Sequence, residues 1–96
     1  MGKKLDPLLH NELRLAIMSL LISLDKADFP LIKEKTEATS GNISVQIQKL
    51  KDAGYIQVEK KFKDNYPQTL CKLTPKGINA FEAYVAQLKK FLGGNL

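Results

Sequence analysis

Reactive and metal-binding side chains are scarce in this sequence: Cys71 is the one cysteine and His10 the one histidine. A lone cysteine excludes a disulfide within the chain and leaves a reducing compartment open to it. One soft ligand of each kind does not make a metal site, so no metal is expected. Nucleophilic or acid–base catalysis needs convergent groups, such as serine with histidine or paired carboxylates. No such set emerges around His10, and there is no glycine-rich phosphate loop. The expectation is a protein that is not an enzyme and needs no cofactor. Long hydrophobic runs are missing too. The stretch from Leu13 to Leu24 is interrupted by Arg14, Ser19 and Ser23 and is too short to span a bilayer. The basic start, Met1-Gly2-Lys3-Lys4, meets Asp6 and Pro7 before any apolar run begins. No export signal is read there, and the expected location is cytoplasmic. No helical stretch combines a basic face with an exposed apolar one, which argues against a membrane surface.

What the sequence does have fits one small folded domain over 1–96. Of its 96 residues 44% are hydrophobic, enough for a core though a modest one, so cover from a partner subunit is a natural expectation. The net charge of +5 points towards a polyanion. There is no internal repeat, low-complexity tract or linker.

Asp6 and Pro7 suit the cap and first position of a helix over about 7–24. Leu13, Ile17, Leu20 and Leu24 define one apolar face, while Leu8, Leu15, Met18 and Ile22 form a second stripe roughly opposite. One stripe enters the core; the other needs the last helix or a partner chain. Asp28-Phe29-Pro30 opens a short helix over about 29–38, with Leu31 and Ile32 inward. Thr39 caps a third helix over about 40–53, whose buried face is Ile43, Ile47 and Leu50 and whose stop is Gly54.

From Tyr55 the period becomes two. Ile56, Val58 and Phe62 alternate with Gln57, Glu59 and Lys61, predicting a half-buried strand, with Lys60 on the apolar side at its fraying end. Asp64-Asn65-Tyr66-Pro67 reads as the turn and Thr69 to Leu73 as the returning strand, Cys71 and Leu73 inward, completing a hairpin over about 55–73. Cys71 is read as a small buried apolar group rather than a redox thiol. Thr74-Pro75 starts a last helix over about 75–92, ended by Gly93-Gly94. Ile78, Phe81, Val85, Leu88 and Leu92 form a two-heptad seam, widened by Tyr84 and Phe91. So short a seam does not hold alone; it packs most economically on the open stripe of the first helix, and dimerisation through it is expected, although a core-only helix shows a similar pattern. The expected interface comprises Leu8, Leu15, Met18 and Ile22 with Ile78, Phe81, Tyr84, Val85, Leu88, Phe91 and Leu92.

Three segments in this order resemble the winged helix-turn-helix domains of MarR-type and ArsR-type repressors. Thr39-Ser40-Gly41-Asn42-Ile43-Ser44 looks like the entry to the recognition helix, and Leu50-Lys51-Asp52-Ala53-Gly54-Tyr55-Ile56 like its exit. Pro67-Gln68-Thr69 with Leu73-Thr74-Pro75-Lys76-Gly77 looks like the second wing strand and the start of the dimer helix. The likeness runs from about Leu8 to Leu92. It implies a mainly α fold with a small β-hairpin (α+β), a winged helix-turn-helix with a C-terminal dimerisation helix. It further implies a prokaryotic transcriptional regulator, in these families commonly a repressor, that binds double-stranded DNA. Two departures stand out. The cysteine-rich ligand sets of ArsR-type metal sensors are missing, and the wing has no arginine, the only one in the chain being Arg14.

With Ile43, Ile47 and Leu50 inside, the third helix turns Gly41, Ser44, Val45, Gln48 and Asp52 outward, with Asn42 and Lys49 at the margins. Gln48 suits a paired contact with adenine, as does Asn42 if it points at the groove, and Val45 suits a thymine methyl. Ser40 and Ser44 suit phosphate or base, and Gly41 allows close approach of the backbone. An ordinary solvated face would carry more Glu and Lys before Lys49. Lys60, Lys61 and Lys63 on the first wing strand suit phosphate contact, though a charged edge strand also guards against aggregation. Asn65, Gln68 and Thr69 add neutral hydrogen-bonding groups. His10 and Arg14 read as the polar edge of the first helix. The rival function is a winged-helix module that binds protein rather than DNA. No effector site is legible.

Overall fold

The computed structural model describes residues 4–93. The lysine at position 3 and the second glycine of the expected helix stop, Gly94, lie outside them. Four helices and three strands follow in the order α1 (Glu12–Ser23), β1 (Ala27–Asp28), α2 (Phe29–Thr36), α3 (Ser40–Asp52), β2 (Ile56–Lys63), β3 (Tyr66–Leu73) and α4 (Pro75–Phe91). The strands form one antiparallel sheet in the order β1-β3-β2. This is the α+β winged helix expected from the sequence.

Side-chain caps set the helix starts. Thr39 accepts from the Asn42 N–H, Asp28 from the Leu31 N–H and Thr74 from the Gly77 N–H. The expected start of α1 is corrected. Asp6 does cap, but it caps a separate turn: its carboxylate accepts from the Leu8 N–H at 2.9 Å and its carbonyl from the N–H groups of Leu9 and His10. Asn11 then takes an extended backbone and caps α1 by accepting from the Arg14 N–H, so the helix starts at Glu12 instead of Pro7. A second cap four residues into the run breaks the helix that the apolar spacing suggested. The break swings the fully buried Leu9 into the core.

The core is built from Leu9, Ile17, Met18, Leu21, Ile32, Ile43, Leu50, Ile56, Cys71 and Tyr84, among others. Two of the residues expected at a dimer interface belong here. Met18 is fully buried, and Tyr84 is buried with its hydroxyl 3.0 Å from His10 Nδ1. With the first turn detached, α1 rotates Ile17, Met18 and Leu21 inward, while Leu13 and Leu20 are only half-buried and Leu24 is exposed.

The short β1 was not legible in the sequence. It pairs Ala27 with Cys71 and Asp28 with Leu70 and ties the α1–α2 connection to the sheet. The hairpin turn is tighter than expected: Asp64 and Asn65, at φ 52° and 67°, are its two central residues, and Tyr66 and Pro67 already belong to β3. That is the left-handed pair a two-residue hairpin of right twist requires. Phe62 does not turn into the core. It is 80% exposed, because the wing beyond Val58 and Cys71 extends past the body of the domain. No described helix is long and apolar enough to cross a membrane.

Candidate nucleic-acid interface

The outward side of α3 is open. Ser40, Gly41, Asn42, Ser44, Val45, Gln48 and Lys49 are all exposed, opposite the buried Ile43, Ile47 and Leu50. Val45 is half exposed, and a side chain grown on Gly41 would meet nothing within 4 Å. Gly54 closes the helix at φ 78°, its N–H bonding the Lys51 carbonyl while the Tyr55 N–H reaches Leu50.

The wing stands beside this helix, and its register sorts the lysines. Lys60 pairs with Thr69 and lies on the same sheet face as Val58 and Cys71. Lys60 and Thr69 line a hollow of about 220 Å³ together with Ser44, Gln48 and Lys51 of α3. Lys61 and Lys63 point to the opposite face, where Lys61 pairs at 3.3 Å with Glu59. Asn65 is exposed at the turn; Gln68 and Thr69 are half-buried, Gln68 donating to Asp28 at 3.4 Å. The three lysines read together in the sequence are therefore divided between two faces.

Three features of this surface escaped the sequence reading. Lys51 joins the hollow between helix and wing. Phe62 and Tyr66 are 80% and 74% exposed near the wing tip, among the lysines. Gln46, on the inner margin of α3, is buried and donates to Asn42 at 2.8 Å, while Arg14 donates to Gln46. Strand alternation pointed to the lysine split, but no local signal announced Gln46. Arg14 is not a solvated helix edge: it also donates to the Leu8 carbonyl and locks the N-terminal turn onto α1. His10 precedes α1 and is held by Tyr84.

Two titratable groups of the body of the domain, Tyr55 and Cys71, are shifted. Burial, joined by the hydrogen bond to Asp6 and its charge, pushes the Tyr55 hydroxyl up to about 12. Burial alone raises the Cys71 thiol to about 11.

A helix with an open polar face beside a basic two-stranded wing defines a winged helix of the DNA-binding kind. The chain belongs to the winged helix DNA-binding domain family, which matches residues 13–92. It is similar to an uncharacterized protein of Methanocaldococcus jannaschii, 30% identical over 79 residues that span 82% of this chain and 86% of that one. Among solved structures it is similar to a transcriptional regulator homologue from Pyrococcus horikoshii, with 30% identity, a TM-score of 0.85, and coverage of 93% of this chain and 89% of that chain. It also shares its fold with a MarR family transcriptional regulator from Silicibacter pomeroyi, at 15% identity and a TM-score of 0.65, covering 93% of this chain and 62% of that one. The chain is a winged helix transcriptional regulator.

Proposed function

We propose that the protein binds double-stranded DNA in a sequence-specific way as a homodimer, in the cytoplasm, and represses transcription by occupying its site. Its role is binding rather than catalysis. One observation carries the reading: the outward face of α3 is uncovered and bears small and neutral polar side chains, with Lys60 beside it on the wing. A major groove admits one helix, whose early residues reach base edges. Ser44, Val45 and Gln48 carry the base readout. Gln48 donates to Asp52 at 2.8 Å, an exposed pair one helical turn apart that a duplex can exchange for a base. Lys60, the wing lysine on the α3 side, supplies phosphate contact, and Lys61 and Lys63 contribute less specifically from the other face.

A dimer is supported by the apolar side of the molecule formed by α1 and α4. Ile22 and Ile78 remain exposed there, with Val85 and Phe81 half-buried and Leu92 exposed further along the same face of α4; Phe91, also exposed, lies on the face of α4 that carries Tyr84. Two shallow hollows of about 330 and 340 Å³ flank Ile22 on this side.

The test is a gel-shift titration on duplexes selected from a random pool. Gln48→Ala is expected to cost about 1–3 kcal/mol on the selected site and to relax preference at one base pair. Lys60→Ala weakens all sequences alike and flattens the salt dependence by about one unit of slope. Unchanged binding in both variants refutes the surface assignment. Exposed Phe62 and Tyr66 favour one rival, a wing that docks on protein. A complete lack of duplex binding at low salt selects that rival.

A further inference from the structure

Arg14, Gln46 and Asn42 form a chain of hydrogen bonds from the interior to the first turn of α3. The half-buried Arg14 donates Nε–H to the Leu8 carbonyl and Nη1–H to Oε1 of Gln46. Gln46 is 9% exposed and donates Nε2–H to Oδ1 of Asn42 at 2.8 Å. Asn42 is exposed, and its backbone N–H is taken by the Thr39 cap. The direction of this chain is dictated by chemistry. A guanidinium has five N–H donors, no acceptor, and does not deprotonate in proteins. Facing it, Gln46 must present its carbonyl oxygen. Its NH₂ group then faces Asn42, and Asn42 must answer with its own oxygen. The amide left pointing out of the protein is the Asn42 NH₂.

We propose that Arg14 and Gln46 are positioning residues that hold Asn42 as an outward hydrogen-bond donor. Asn42 therefore contacts acceptors on DNA: a phosphate oxygen, N7 of a purine, O6 of guanine or O4 of thymine. Its oxygen is held towards Gln46, which turns it away from the paired donor-and-acceptor contact with adenine. The proposal rests on the DNA-binding reading and deepens it. It also gives the chain's single arginine a role at a distance from the duplex.

Gln46→Glu is the informative substitution. A carboxylate keeps the acceptor that Arg14 needs and improves that contact, so the fold is supported. It removes the donor that Asn42 needs. Asn42 must then turn over, donate its NH₂ inward, and show its oxygen to DNA. The relay is first read without DNA, by NMR of side-chain amide protons in the whole chain. In the wild type the Gln46 NH₂ is slow to exchange and the Asn42 NH₂ fast; in Gln46→Glu the Asn42 NH₂ becomes slow. A fast Gln46 NH₂ in the wild type overturns the relay.

Selection from a random duplex pool then reads the consequence. For a base contact, Gln46→Glu shifts preference at one position away from guanine or thymine, which offer only acceptors, and towards cytosine, which offers only its NH₂ donor. For a phosphate contact, Gln46→Glu and Asn42→Ala each weaken every sequence about tenfold with no change of preference. In either case Gln46→Glu adds nothing further in an Asn42→Ala background. An equal loss in both backgrounds, or no change in affinity and preference, overturns the proposal. If the wild type binds no duplex, the DNA reading has failed while the amide exchange still judges the relay.

Discussion

Two glycines show how one residue type meets opposite demands. Gly77 sits in the first turn of α4, where a Cβ would lie 2.0 Å from the Tyr55 carbonyl oxygen and 2.8 Å from its carbon. That carbonyl also accepts from the Thr74 N–H, so the exit of α3 and the entry of α4 are clamped backbone to backbone. Alanine in an ordinary helix is more stable than glycine by up to about 1 kcal/mol. Here the sign reverses, and Gly77→Ala costs about 1–3 kcal/mol or more, as overpacking against backbone does. Gly41 faces open space, so Gly41→Ala raises stability by a few tenths to about 1 kcal/mol while weakening DNA binding through the lost close approach. Paired thermal melts and gel shifts check both. A Gly41→Ala variant that binds as tightly as the wild type removes the helix's N-terminal turn from the interface. Cys71 gives a pH signature. Burial raises its thiol from 9.0 to about 11, so the folded state holds the proton more tightly than the unfolded one. Its contribution is complete below pH 9 and is lost as pH rises through 11. A two-unit difference is worth about 2–3 kcal/mol. Urea titrations at pH 7.5 and 10.5 should therefore show the wild type losing about 2 kcal/mol more than Cys71→Ala over that interval. Tyr55, raised from 10.0 to about 12, acts in both proteins and cancels. Equal losses in the two proteins would refute the burial effect.

Elements were legible where one local signal acts alone. The caps Asp28, Thr39 and Thr74 and the terminating Gly54 stand where their chemistry put them, and α2, α3 and α4 follow. Legibility failed where two signals compete or where tertiary placement decides. Asp6-Pro7 and Asn11-Glu12 are both good helix starts, and the chain uses both, the first for a turn and the second for α1. β1 is two residues long and exists only because β3 offers it a partner. The wing kept its period of two but not its burial, since alternation says which face a residue takes and not whether anything covers that face. Phe62 follows the pattern of Ile56 and Val58 and still ends in solvent. The outward list on α3 was readable because a helix with three core residues has a determined opposite side. Gln46 was not, because its partners Arg14 and Asn42 lie 32 and 4 residues away, on two different elements.

At the scale of the whole molecule, shape and uncovered apolar surface argue together for a second copy. The Cα radius of gyration is 14.3 Å and the longest extent 53 Å. A compact chain of this size has a radius of about 12–13 Å. The excess fits a wing and a long α4 that reach beyond the core. α4 runs 17 residues, yet only Gly77 and Tyr84 on it are buried. On a helix so exposed, Ile78 stands in water beside Ile22 of α1, and this is the surface through which the proposed dimer would meet its equivalent across a two-fold axis. Such a dimer should set two α3 helices about 34 Å apart, one turn of duplex, on a near-palindromic site. Ile22→Glu tests this without disturbing the core, since Ile22 is 43% exposed in the single chain. Sedimentation at micromolar concentration is expected to show a dimer for the wild type and a monomer for the variant. Joining two half-site contacts raises affinity by about 10²–10⁴ over one contact. The variant should lose most of that factor on the full palindrome and almost nothing on an isolated half-site. Loss on both duplexes alike would mean that the substitution damaged the recognition surface itself. A wild type that sediments as a monomer would leave the apolar side of α1 and α4 to some other partner.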